Sequence, residues 1–323
     1  MEYILKDKKS KKVIVLLLLL DLVLIAGFLL PGLTAKNFSF FMPRRMTKIL
    51  AVIIVSYAIG YSSLTFQTIT NNHILTPSVM GLDSLYLFIQ TFIVFFAGSK
   101  ALSQMIGYPH FLISVGFMIS AACLLFLLLF RGESKNVYFL VLTGMIMGGL
   151  FNGMATFMQV LLDPNEFSVL QGRMFASFNN INSKLIGISI FIILVVFIIS
   201  IKDLPYLDVV SLGAENAINL GVDYKKLVLK TLIISAVLIS VSTALVGPIT
   251  FLGILIVNLA RHVLASYSHR SLTIGTTLLG IFFLTAGLLV TERIFRFETT
   301  MSVIINFIGG IYFLYLMLKE RKQ

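Results

Sequence analysis

Long apolar runs recur along this chain, each of roughly 20 residues and each bounded by a few polar or basic residues. In hydrocarbon every backbone N–H and C=O must be bonded within its own segment, so runs of this kind fold as membrane-crossing α-helices. Barrel strands are excluded, because they are ~10 residues long and alternate in polarity. Composition agrees: 58% of residues are hydrophobic, 12% are charged and the mean hydropathy is +0.99. The net charge of +11 would suit a nucleic-acid binder. The basic residues, however, sit in short flanks between the runs, where they set topology. Cys123 is the single cysteine and lies inside an apolar run, so no intramolecular disulfide forms.

The runs predict spans near 13–31, 47–70, 83–98, 110–130, 137–162, 184–201, 227–247, 250–264, 271–291 and 300–318. The expected fold is all-α, with about ten transmembrane helices in a single membrane domain over residues 1–323. At ~1.5 Å per residue, 83–98 and 250–264 reach only about 22–25 Å, short of a ~30 Å hydrocarbon core. Both are therefore expected inside the bundle, where protein can satisfy their ends. Lys6, Lys8, Lys9, Lys11 and Lys12 precede the first run and no small-residue cleavage site stands out after it. That predicts an uncleaved first span with the N-terminus in the cytoplasm, and an even span number puts the C-terminus there too. Arg131, Lys135, Lys202, Lys225, Lys226 and Lys230 fall on flanks that this orientation places inside. Arg44, Arg45, Arg173, Arg293 and Arg296 fall outside and ask for a separate explanation.

There is a sign of duplication. Arg44 and Arg45 open a span that passes Gly60 and Gln67 to Pro77 and a short span; Lys226 and Lys230 open one that reaches Gly247-Pro248 and the other short span. The first would run inward and the second outward, as in transporters built from inverted repeats.

Between the sixth and seventh spans, L-D-V-V-S-L-G-A-E-N-A-I-N-L-G-V is too polar to enter lipid. It predicts a small helix over 208–221 on the water side, with Asp208 as N-cap and Gly221 as its stop. Few basic residues and a modest apolar face argue against a helix lying on lipid headgroups. Gly213 and Ala214 leave room for a partner surface to come close. Span 137–162 carries Gly144, Gly148, Gly149 and Gly153, which suit close helix packing, and also Asn152 and Gln159. Polar groups in a span are costly unless paired or wet, so those two are candidates for the wall of a pathway. Asp21, in the middle of the first run, reads as a group facing the bundle; a direct transport role is the alternative. There is no P-loop, no H-E-x-x-H and no carboxylate cluster for a metal. His73, His110, His262 and His269 fall at span ends, and no Ser–His–Asp constellation is evident.

The block V-G-P-I-T-F-L-G-I-L-I-V-N-L-A-R at 246–261, taken with the segment 203–226, resembles the iron-siderophore and cobalamin (FecCD-type) permeases of ATP-binding-cassette (ABC) importers. In that family the loop reads L-x-x-L-x-L-G-E-x-x-A-x-x-L-G. Leu207, Val210, Leu212, Gly213, Glu215, Ala217, Leu220 and Gly221 stand in its places, with Ala214 inserted before the Glu. On a continuous helix that insertion would turn Glu215 by ~100°. The resemblance implies an inverted-repeat, type II ABC importer permease fold. It also implies a coupling segment over 203–226 in which Leu212, Gly213, Ala214, Glu215, Asn216, Ala217 and Gly221 meet a separate ATPase. F-M-P-R-R at 41–45 stands where the family has Arg-x-Pro-Arg, with Phe41 in place of the first Arg. Arg44, helped by Arg45, and Arg296 in T-E-R-I-F-R would then meet acidic residues of an extracytoplasmic binding protein. Lipid phosphate is the competing partner, since a guanidinium fork suits either anion. Gln67, Asn152 and Gln159 would line the translocation pathway.

The sequence departs from the family at Thr76-Pro77, where Asn-Pro is usual, and at Val257-Asn258, where Pro-His is usual; Arg261 and His269-Arg270 are kept. These features resemble a branch whose members pair with an unlike permease, often for ferric catecholate siderophores. The resemblance implies a second, non-identical permease, a dimer of ATP-binding subunits, a binding protein and a bacterial cell membrane. No cofactor or metal is bound directly, and ATP with Mg²⁺ belongs to the ATPase. A haem or cobalamin permease is the neighbouring alternative. An ion- or proton-coupled carrier is the alternative of another class and would need no ATPase.

Overall fold

A computed structural model describes residues 2–104, 107–130, 137–179, 181–296 and 298–320. The side chains of Lys6 and Lys8, and the whole of Arg131 and Lys135, lie outside the described residues. The described residues form α-helices and no strands: α1 (Glu2–Leu29), α2 (Phe38–Thr70), α3 (Leu82–Gln104), α4 (Tyr108–Phe130), α5 (Val137–Val160), α6 (Pro164–Met174), α7 (Ser183–Ser200), α8 (Leu204–Val210), α9 (Ala214–Asn219), α10 (Tyr224–Val246), α11 (Leu252–Leu264), α12 (His269–Arg293) and α13 (Met301–Glu320). Eight of them are long and apolar enough to cross a membrane; Leu82–Gly98 and Leu252–Leu264 are shorter apolar helices. The eight and the two correspond to the ten expected runs, so all ten are helical while full crossing is a matter of length for eight.

α2 is the axis of the molecule. From Ile49 to Thr70 nearly every residue is buried, including Ser56, Ser62, Ser63, Thr65 and Gln67. It starts nine residues ahead of the predicted span, at Phe38, so Arg44 and Arg45 sit inside a helix and not in a loop. α10 packs antiparallel to it: Tyr224, the first residue of α10, donates its hydroxyl to the carbonyl of Ile69, near the last of α2. α12 runs along another side, where Gly60 meets Thr276 and Gly280 meets Ser56. Small residues permit that approach, which dispersion and not water exclusion must hold together in lipid.

The repeat read in the sequence is visible as two matching elbows. After α2 the chain turns at Asn71, passes a 3-10 turn at Pro77–Met80 and begins α3 only at Leu82. After α10 it turns at Gly247 and begins α11 only at Leu252. Three residues beyond Pro77, Met80 packs on Gly144 of α5; three residues beyond Pro248, Phe251 packs on Gly309 of α13. Both contacts fall near the middle of the receiving helix, so each elbow re-enters the bundle. Gly81 (φ +83) and Gly148 are so close that a Cβ on Gly81 would lie 2.5 Å from the Cα of Gly148. The elbows also touch each other, through a 3.2 Å hydrogen bond from Thr250 Oγ1 to Asp83 Oδ2. Their backbone leaves the helical ladder, which is tolerated at this depth because protein surrounds it. The short runs thus start inside the bundle, as expected, although Phe92 and Phe96 of the first are exposed, and each differs from its expected bounds at one end. α11 starts two residues after the predicted 250, and α3 continues through a kink at Gly98 (φ 77) to Gln104.

Candidate functional site

The two ends of the bundle carry the predicted groups. At one end lies the segment between α7 and α10. It forms two short helices, α8 and α9, rather than the single helix expected over 208–221. Gly213 (φ 102, ψ 156) breaks it, in a conformation that an L side chain rarely adopts. Ala214 is thus the first residue of a new helix, and the ~100° rotation expected of Glu215 on a continuous helix does not arise. Asp208 is likewise not the N-cap of this segment, because it sits inside α8.

The hairpin has an anchored face and an open one. Leu207, Val210 and Ala217 are buried against the bundle, so Ala217 holds the hairpin in place. Leu212, Ala214, Glu215, Asn216 and Gly221 are exposed and Gly213 is half-buried. Asn216 donates to the carbonyl of Leu212 across the break. Leu212, Ile218 and Leu220 are 60%, 57% and 65% exposed, a cluster of bare apolar side chains on the polar end of a membrane protein. Such a patch marks a contact surface more often than a solvated one.

Ties at both ends of α8 fasten this hairpin. Asp203, just before α8, pairs with Lys230 of α10 at 2.7 Å. Asp208 Oδ1 accepts two hydrogen bonds from His269, from the backbone N–H and from ring Nδ1, each at 2.6 Å. His269 is the first residue of α12, so Asp208 caps α12 from a different helix. On its far side, His269 Nε2 lies 2.8 Å from Thr68 Oγ1 of α2. This carboxylate–imidazole–hydroxyl order is that of a hydrolase triad. Here Thr68 and His269 are both buried between helices, where no substrate reaches the hydroxyl. The sequence alone does not show this cluster, since its members lie far apart in the chain and His269 reads there only as a histidine at a span end and as part of a His-Arg pair. Asp223, the N-cap of α10, is exposed; hydrogen bonds from Lys226 hold its carboxyl below the usual value.

At the opposite end, Arg44, Arg45, Lys48, Asn179, Ser183 and Glu292 surround a cleft of about 620 Å³. Lys48 forms an ion pair with Glu292, joining α2 to α12, and also donates to Asn179. Arg45 Nη1 donates to the carbonyls of Leu29 and Pro31, closing the last turn of α1. Arg44 is exposed and its guanidinium stacks 4.0 Å over the Phe40 ring. Arg296 is exposed on the stretch after α12, at φ 47. Of the three predicted docking arginines, Arg44 and Arg296 are open and Arg45 is engaged within the chain.

The three predicted pathway residues are not brought together. Gln67 is fully buried, with neither side-chain polar atom bonded. Gln159 is half-buried and donates to Thr91 Oγ1 at 3.1 Å. Asn152 is exposed on α5, on the side that carries Gly149 and Thr156 and away from the bare apolar side chains Leu150, Met154 and Phe157. Of the α5 glycines, Gly144 and Gly148 pack on the first elbow while Gly149 and Gly153 meet nothing within 4 Å. Asp21 is buried, as a bundle-facing group should be. Among the described residues no cluster of His, Cys, Asp or Glu could hold a metal ion.

Residues 13–319 match the FecCD transport family. The chain belongs to that family. It is a membrane permease and not an enzyme. A petrobactin import system permease protein of Bacillus subtilis (strain 168) is 49% identical over 315 residues, covering 98% of this chain and 99% of that one. A second petrobactin import system permease protein of the same organism is 25% identical over 293 residues, 90% of this chain and 89% of that one. A metal-chelate type ABC transporter solved in an inward-facing conformation superposes with a TM-score of 0.82 at 24% identity, covering 96% of this chain and 99% of the other. That likeness establishes the shared fold.

Proposed function

We propose that this chain is the permease subunit of an ABC importer in the bacterial cell membrane and that its cargo is a ferric siderophore of the petrobactin, catecholate type. The observation that carries the ligand is the 49% identity to a petrobactin permease over essentially the whole of both chains. It works beside a second, non-identical permease. This is supported by the two petrobactin permeases of one organism, of which one is much more similar to this chain than the other. The α8–α9 hairpin is the site where a dimer of separate ATPase subunits binds, through Leu212, Gly213, Ala214, Glu215, Asn216 and Gly221, with Ala217 securing it from behind. ATP and Mg²⁺ are handled by those subunits.

That assignment makes the hairpin end cytoplasmic, together with both termini. The cleft at the Arg44 end then faces the extracytoplasmic binding protein, and Arg44 and Arg296 are the open cations for its acidic residues, with Arg45 shaping the rim. Asn152, exposed on α5, faces the passage shared with the second permease, and Gln159 stiffens the wall behind it. Gln67 contributes from inside the bundle on the state change that ATP closure drives, when its unbonded amide gains access to the cavity. Because the binding protein delivers the ligand, the passage needs few groups that grip it.

The test is uptake of radiolabelled iron–petrobactin in cells lacking this gene, with and without the gene restored. Restored, energy-dependent accumulation is the expected result. Restoration of haem or cobalamin uptake with no iron–petrobactin uptake would overturn the ligand.

A further inference from the structure

The Asp208–His269–Thr68 chain does more than cap a helix, and its place in the bundle says what. α8 and the Asp203 that precedes it tie the hairpin by hydrogen bonds both to α10, through Asp203–Lys230, and to α12, through Asp208–His269. α10 and α12 both pack along α2 from its C-terminal end, Tyr224 at Ile69 and His269 at Thr68, and α12 follows α2 further along Gly60–Thr276 and Ser56–Gly280. His269 is 2% exposed and stands where three elements meet: the end of α2, the start of α12 and the middle of α8. Asp208, accepting from the backbone N–H and from Nδ1 with one oxygen, fixes the ring plane and makes Nδ1 the protonated nitrogen. Nε2 is thereby the acceptor facing the Thr68 hydroxyl, 2.8 Å away, whose proton is shared with the Leu64 carbonyl of α2 at 3.0 Å. Hydrogen bonds are directional where apolar contacts are not, so this chain has a defined length and angle and can transmit a displacement that a greasy contact would absorb.

We propose that His269, held between Asp208 and Thr68, is the positioning residue through which movement of the α8–α9 hairpin reaches α2 and α12. The inference rests on the reading of that hairpin as the ATPase contact. It says in addition that ATP-driven closure is converted to a helix shift at one buried imidazole, and that loss of the link uncouples hydrolysis from transport without detaching the ATPase. Thr68 is the decisive position. It is buried, lies off the hairpin and cannot contact the ATPase, so a change there reports transmission alone.

The experiment reconstitutes the complete importer in liposomes and measures iron–petrobactin transported per ATP hydrolysed, alongside ATPase retained on purification. Thr68→Val replaces the hydroxyl by a methyl of the same shape; Thr68→Ser keeps it. Thr68→Val is expected to lower the transport-to-hydrolysis ratio about fivefold, the worth of one hydrogen bond, and Thr68→Ser to leave it unchanged. His269→Ala should lower it further, and Asp208→Asn, which keeps an acceptor oxygen, should retain most of it. ATPase retention should be wild-type throughout. A mere loss of folded protein would reduce both rates and leave the ratio alone. Thr68→Val with a wild-type ratio overturns the proposal, and His269→Ala with an intact ratio does the same. Failure of the unaltered chain to retain any ATPase would instead overturn the reading of the hairpin on which the proposal rests.

Discussion

The two ends of this bundle are both polar, yet they are built on opposite plans. At the Arg44 end the charged groups are satisfied among themselves: Lys48 pairs with Glu292, and Arg45 closes α1, leaving Arg44 and Arg296 open. At the hairpin end the polar groups Asp203, Asp208, His269 and Thr68 are turned inward as ties, and apolar Leu212, Ile218 and Leu220 are turned out. A surface that offers charge can steer and release a soluble partner, since exposed charges attract at range and salt and water keep the resulting contacts weak. A surface that offers apolar area with rigid backing suits a partner that stays bound and pushes. The difference fits the proposal that one face meets a shuttling binding protein and the other a resident motor.

The comparison can be broken from the hairpin side first, where the largest effect is expected. Replacing Leu212 and Ile218 together by Asp removes the apolar contact while leaving the buried anchors Leu207, Val210 and Ala217 untouched. Loss of two central contacts should weaken ATPase binding by at least ~3 kcal/mol, over a hundredfold, measured by titrating the ATPase onto protein in nanodiscs. Next is Arg44→Glu. It should raise about tenfold the binding-protein concentration that gives half-maximal stimulation of ATP hydrolysis, an effect that shrinks as salt is added, while ATPase binding stays normal. The same substitution at Arg45 should act differently, lowering stability through the freed carbonyls of Leu29 and Pro31.

Third, Lys48→Ala leaves Glu292 half-buried with its ion-pair partner gone. It should cost about 2 kcal/mol of thermal stability in detergent with no change in either partner's affinity. The smallest effect belongs to Asp223. Its carboxyl is held below the usual value by Lys226, so its contribution is present above the ordinary carboxylate range and fades as pH falls through that range. Because the pair is exposed, Asp223→Asn should barely alter the melting curve at neutral pH and should only flatten its decline in acid.

Much of this was legible in the sequence because the signals are local. Apolar runs announce spans, and Pro77 and Pro248, each just ahead of a short run, announce the two elbows. The polar stretch 207–221 announces a water-side element. What could not be read was whatever depends on distant partners or on one backbone angle. The break at Gly213 is a matter of φ, and a helix pattern with a glycine in it reads the same whether the chain bends or not. Asp208 reads as the N-cap of its own segment, whereas its carboxylate accepts the first backbone N–H of α12, 61 residues later. Arg44 and Arg45 are adjacent in sequence and equal in chemistry, and only the position of the α1 terminus separates the open one from the engaged one. The meeting of Thr68 with His269 spans 201 residues and leaves no trace in spacing.

The central claim is that the exposed face of the α8–α9 hairpin holds the ATPase, and affinity co-purification of the gently extracted importer tests it most directly. Wild-type protein should be compared with Ala214→Trp, which places a large side chain on the exposed first residue of α9 and leaves Gly213 its positive φ. The account predicts a stoichiometric ATPase with the wild-type chain and none with the variant, while the second permease is retained by both. An ATPase held equally by the two, or by neither, would contradict it.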